Sequence, residues 1–183
     1  MTTGSSAGEP PPRLDPDRIG DLLAATATTV GAELRGLGED GASWSPAPGE
    51  WCAKEVVGHL SEAERRGFAG RIRILIAEDE PDLLDWDEPG VAAARRDCAK
   101  SIDEVLGEFL STRAEAIALA RTLTTADLAR AGIHPIVGRL TVAEVAAEWV
   151  HHDRNHVRQL LAIGQAVAWR WMGAARRFSD PSA

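Results

Sequence analysis

Apolar residues recur at helical spacing in four long stretches of the chain. Asp15-Pro16 offers an N-cap with proline at the first helical position. Ile19, Leu22, Leu23, Thr26, Val30, Leu34 and Leu37 follow, which predicts a first helix over about 16–37. Gly36, Gly38 and Gly41 are expected to end it, and SWSPAPGEW (43–51) to form a loop. Val56, Val57, Leu60, Ala63, Phe68, Ile72 and Leu75 give a second helix, about 53–77, its apolar face. The acidic stretch EDEPDLLDWDEPG (78–90) reads either as a solvated connection or as a lid, with Trp86 covering a pocket. A short helix is expected over 91–98. Ser101 and Glu104 form a capping box ahead of a third helix that runs through Val105, Phe109 and Ile117 to about Leu123. TTADLARAG reads as a helical turn, and Thr141 and Glu144 form a second capping box that opens a fourth helix, about 142–163.

No segment reads as a strand, and no internal repeat is found. The predicted fold is all-α, a four-helix bundle. Three parts are expected: a tail over 1–14 with too little apolar surface to fold, the bundle over 15–165, and an amphipathic C-terminal extension over 166–183. In that extension Trp169, Trp171 and Met172 offer an apolar face, either to the chain's own bundle or to a second copy in a homodimer.

Composition narrows the function classes. Of 183 residues 44% are hydrophobic, yet no apolar run is long enough to span a membrane. The net charge of −8, without a basic stripe, argues against nucleic-acid binding. The start MTTGSSAGEPPPRLD lacks the features of a secretory signal, so a cytoplasmic location is expected. The two cysteines, Cys52 and Cys98, form no CxxC pair. They suggest a reducing compartment and two buried small side chains rather than a disulfide.

The chemistry concentrates in HHDRNH (151–156), which holds three of the five histidines. The inward seam of the fourth helix passes through Val142, Val145, Trp149, His152, His156, Leu160 and Ile163. Two imidazoles therefore stand where leucines would pack. Four residues turn a helix by about 400°, so His152 and His156 lie one turn apart on one line, while His151 points about 100° away. Buried imidazoles need partners, and a divalent cation would satisfy both. His59 lies at the edge of the second helix's core face and could complete a three-histidine site with open coordination positions. The alternative is a set of core histidines that hydrogen-bond within the bundle. His134, in GIHPIVG, is expected to be a loop or surface residue.

HDRNH is not the zinc-protease motif, because Asp153 stands where HExxH carries glutamate. Glu148 and Asp153 are weak candidates for a catalytic acid or base. Glu144 belongs to the capping box, and Gln159 either packs at the seam's edge or holds a bound water.

Four stretches together resemble a known family: WSPAPGEWCAKEVVGHL (44–60), DEVLGEFLSTR (103–113), HPIVGRLTVAEV (134–145) and HDRNHVRQL (152–160). In this order they resemble the DinB/YfiT-like superfamily of metal-binding four-helix bundles. The resemblance covers most of residues 15–165 and implies the metal ligands His59, His152 and His156. It also implies zinc, with nickel or iron as alternatives, and enzymes that are thiol-dependent transferases, isomerases or hydrolases. A low-molecular-weight thiol is then a candidate cofactor, and a small molecule the expected substrate. A non-catalytic metal-binding or sensor module is the competing function.

Overall fold

The Asp15 carboxylate accepts a hydrogen bond from the Arg18 amide at 2.8 Å, and Pro16 follows it, so α1 (Pro16–Ser43) starts where the cap pattern places it. The computed structural model describes residues 13–180. Leu14 already packs on the core, at the end of the expected tail, and residues 1–12 of that tail lie outside the described residues. α1 runs six residues beyond its predicted end. Gly38 adopts a φ of +66°, which costs glycine little, so the chain kinks there and resumes its helix rather than stopping.

The second predicted helix is one rod in three pieces: α2 (Ala53–Glu62), a π-helical turn (Ala63–Phe68) and α3 (Ala69–Ala77). The π turn inserts a residue and shifts the helical phase, so His59 and Leu60 before it and Ile72 and Leu75 after it all face inward. Gly70 makes the turn possible, because a Cβ there would sit 2.0 Å from the Arg65 carbonyl oxygen.

The acidic stretch is not a free loop. Leu83 N–H donates to the Ile133 carbonyl and Ile133 N–H to that of Pro81, both at 2.8 Å. α4 (Glu88–Arg95) starts earlier than predicted because the Asp87 carboxylate caps the Gly90 amide. A short 3₁₀ turn (Asp97–Ala99) follows. Cys98 is joined to Cys52 by a disulfide. That corrects the expectation of two unpaired thiols, and with it goes the cysteine argument for a reducing compartment. The pair was hidden because 46 residues separate the two cysteines and only the return of α4 to the start of α2 brings them together.

α5 (Ile102–Thr122) and the short α6 (Thr125–Ala129) each begin at a capping box. The expectation of no strands fails next. β1 (Ala131–His134) and β2 (Gly138–Thr141) form an antiparallel hairpin with Ala131 opposite Thr141 and His134 opposite Gly138. Four-residue strands are too short to show alternation above the helical pattern around them. β2 passes directly into α7 (Val142–Trp171), started by the predicted Thr141/Glu144 box. α7 runs on through Gly164, so the extension drawn from 166 begins inside this helix. A 3₁₀ turn (Gly173–Ala175) and α8 (Arg176–Ser179) follow it. Among the described residues, no helix is long and apolar enough to cross a membrane.

The bundle is made by α1, the α2–α3 rod, α5 and α7. Its interior is two apolar clusters rather than one. Leu23, Phe68, Ile72, Leu75, Ala116 and Trp149 fill one end; Val30, Leu34, Leu60, Phe109, Leu160 and Ile163 fill the other. Between them lies a belt of buried polar side chains drawn from every long helix: Thr26, His59, Glu64, Arg113 and Asp153.

Candidate metal centre

The belt carries the three histidines. α2 delivers His59 from one side of the bundle; α7 delivers His152 and His156, one turn apart, from the other. His59 Nε2 and His152 Nε2 are 3.0 Å apart, and one nitrogen from each of the three rings falls within 4.8 Å of the others. Ring centroids are separated by 5.0 Å (His59–His152), 4.5 Å (His59–His156) and 4.4 Å (His152–His156).

The outer nitrogens set the tautomers. His156 Nδ1–H donates to Gln159 Oε1 at 2.9 Å, leaving Nε2 with its lone pair free. His59 Nδ1 faces Glu88 Oε1 at 3.5 Å, too long for a good hydrogen bond but close enough to favour a proton on that nitrogen. Burial, with the neighbouring His156 second, pushes His59 down to about 4. Burial followed by His156 and His59 pushes His152 down to about 3, and burial also lowers His156. All three rings are therefore neutral at pH 7, the state a metal requires.

The donor set fits a cation. A tetrahedral centre with metal–nitrogen bonds of about 2.0–2.1 Å holds its nitrogens about 3.3 Å apart, close to the 3.0 Å seen between His59 and His152. Without a cation, two lone pairs at that distance repel unless one nitrogen takes the proton. His152 Nδ1 is buried with no hydrogen-bond partner, so the protein itself satisfies only part of this ring.

Aromatic side chains wall the group in. Trp51 lies 5.0 Å from His59 and stacks on His156 at 6.3 Å; Trp86 stacks on His59 at 6.4 Å; Phe68 lies 5.0 Å from His152. Trp86 therefore lies over the His59 ring, brought there by the acidic segment. Gly49, Trp51 and Gln159 help to line a cavity of 540 Å³ on one side. Trp51, Glu55 and Glu88 line another of 430 Å³ on the α4 side.

Behind the histidines, Arg113 is buried between two carboxylates. Asp153 takes the guanidinium in a two-pronged pair, with the second contact at 3.1 Å. Glu64 approaches Arg113 Nε at 2.8 Å but off the N–H direction, so neither of its oxygens has a hydrogen-bond partner. The short contact suggests an ion pair, yet one guanidinium cannot neutralise two buried carboxylates. Burial dominates, Asp153 adds to it, and the Glu64 carboxyl is pushed up to about 7.

The structure sorts the candidates. It brings His59, His152 and His156 together and leaves His151 exposed beside Glu148 at 3.8 Å. Asp153, a candidate acid or base, instead points inward and holds Arg113. Glu148 is exposed on α7. His134 is buried, contrary to expectation, because it closes β1 rather than lying in a loop. Glu88 and Trp51 were missed. Their only sequence signals were an acid two positions after Trp86 and a tryptophan just ahead of the helix that carries His59.

The chain is similar to several known proteins. A family model described as the DinB superfamily matches residues 7–160. A protein of Bacillus licheniformis named "Putative metal-dependent hydrolase" is 27% identical over 154 residues, covering 82% of this chain and 85% of that one. A protein of Oceanobacillus iheyensis with the same description is 22% identical over 121 residues, covering 66% and 69%. The solved structure of YfiT from Bacillus subtilis, titled a probable metal-dependent hydrolase with an unusual four-helix bundle topology, superposes with a TM-score of 0.75. It is 19% identical and covers 89% of this chain and 96% of its own.

Proposed function

As the chain belongs to the DinB superfamily, we propose that it is a metal-dependent enzyme acting on a small molecule, a hydrolase first, with His59, His152 and His156 holding the ion. The observation that carries this reading is the convergence of three neutral imidazoles, one nitrogen of each within 4.8 Å of the others, in a buried polar belt. A set of imidazole nitrogens suits zinc, with nickel or iron as alternatives. When bound, such an ion supplies a Lewis acid that makes water, or a low-molecular-weight thiol, nucleophilic at neutral pH. The names carried by the relatives favour water.

The chain's own residues do the rest. Gln159 holds the outer proton of His156 and Glu88 faces that of His59, so both rings present Nε2 to the centre. Trp51, Trp86 and Phe68 exclude bulk water. Glu88, half-exposed at the rim, is the carboxylate that orients His59 from outside, a position neither Glu148 nor Asp153 occupies.

Elemental analysis of the untagged protein beside its His152→Ala variant tests the reading, followed by panels of esters and amides and of thiol conjugations. The expected result is near-stoichiometric metal, lost in the variant, with turnover that follows it. Metal without turnover would favour a binding or sensor module. No metal after reconstitution would leave three core histidines and remove the enzyme.

A further inference from the structure

A third cavity, of 500 Å³, opens between the β-hairpin and the first turns of α7. Phe68, Arg71, His134, Arg139, Leu140 and Glu148 are among its lining. It adjoins the histidine group: the Phe68 ring touches that of His152, and Glu148 precedes His152 by one helical turn.

Its donors are not matched by acceptors. His134 Nδ1 accepts the Ile136 N–H at 3.2 Å, which places the neutral ring's proton on Nε2. Among the described residues that Nε2–H is buried with no partner, and so is the Nε–H of Arg71. The rest of the Arg71 head is held weakly, by the Leu84 carbonyl at 3.3 Å and the Asp85 carboxylate at 3.6 Å. Arg139, opposite Ile133 and so on the other face of the hairpin from His134, adds a second guanidinium at the cavity's exposed rim. The acids on the same wall do not answer the His134 and Arg71 donors, although Glu144 lies within electrostatic reach of Arg139. Glu144 accepts from Thr141 in the capping box at 2.7 and 2.6 Å, and Glu148 is exposed beside His151. Buried donors without acceptors are costly, and a ligand oxygen arriving beside them is favoured in proportion.

We propose that this cavity is a subsite for the carboxylate of a small organic acid, whose apolar body lies on Phe68, Leu140 and Val145 beside the histidine group. Single N–H donors from separate side chains suit a monoanion. Glu144 and Glu148 on the same wall oppose a dianionic phosphate. As a statement about substrate the proposal rests on the metal-centre reading; as a statement about binding it does not.

Hexanoate titrated into metal-free protein, followed by amide NMR shifts, tests it, with hexan-1-ol as the apolar control. The expected result is hexanoate binding mapped to the hairpin and the first turns of α7, retained in His152→Ala. Binding should weaken about tenfold in Arg139→Gln, the loss of one charge-assisted contact. Arg139 is exposed, so that variant keeps its fold even if Arg71→Gln does not. Equal binding of hexan-1-ol, an unchanged affinity in Arg139→Gln, or absence of hexanoate binding would each overturn the subsite. Loss of hexanoate binding in His152→Ala would move the anion to the histidines. Metal content, read separately, reports on the other reading.

Discussion

Glu64→Gln is expected to flatten the pH dependence of the metal-free protein's stability above pH 5. The Glu64 carboxyl is buried beside Arg113, whose charge Asp153 already takes, and stays protonated up to about pH 7 in the fold. In the unfolded chain it ionises near 4.5. Between those values the folded state therefore binds the extra proton, and stability falls as pH rises from 4.5 through 7. Carrying a pKa from 4.5 to about 7 corresponds to at most about 3 kcal/mol, and less where the fold relaxes around the charge. Glutamine copies the protonated carboxyl and has no proton to lose. Urea unfolding of both proteins at pH 5.5 and pH 8 measures the effect. The variant is expected to be more stable by about 1 kcal/mol at the lower pH, already one unit above the unfolded value, and by at most about 3 kcal/mol at the higher. Parallel pH curves, or a variant less stable at pH 8, would show that Glu64 and Arg113 form an ordinary ion pair.

Three further outcomes are expected. The metal-free protein should lose stability as pH falls from 6.5 towards 4, because His59 and His152 stay neutral in the fold while the unfolded chain takes up their protons; His59→Gln should reduce that loss in the same unfolding assay. Gln159→Leu should weaken metal binding by about 10–100-fold with little change in metal-free melting temperature, read by competition with a chromophoric chelator. Reducing the Cys52–Cys98 disulfide, or making Cys98→Ser, should cost about 2–4 kcal/mol by releasing the loop between residues 46 apart, measured by denaturant unfolding with and without reductant.

Much of the helical frame was legible because each cap is a local device. Asp15-Pro16, Ser101/Glu104 and Thr141/Glu144 start helices at the positions their sequence pattern gives. The three histidines were legible for a related reason. His152 and His156 interrupt an otherwise apolar seam, and His59 sits beside one. What stayed hidden depends on tertiary return. The disulfide needs α4 to fold back on α2. Glu88 reaches His59 only through that same return, and β1 is held by the Pro81–Leu83 segment some fifty residues earlier. The π turn was hidden because its signal is one extra residue in an unbroken apolar pattern. Gly70, whose missing Cβ admits the Arg65 carbonyl, carries that information only once the backbone is known.

The polar belt between the two apolar clusters also keys the helices lengthwise. Leucine-rich faces can slide past one another by a turn, about 5.4 Å, and still bury hydrocarbon. Here such a slip would drive Arg113 into the apolar cluster around Ile72 and Leu75, or into that around Val30 and Leu160, and strand Asp153 without its cation. Only one alignment of α5 against α7 and the α2–α3 rod satisfies the charges. The same alignment sets His59 opposite His152, so the distance between them is fixed by a neighbouring ion pair before any ligand arrives.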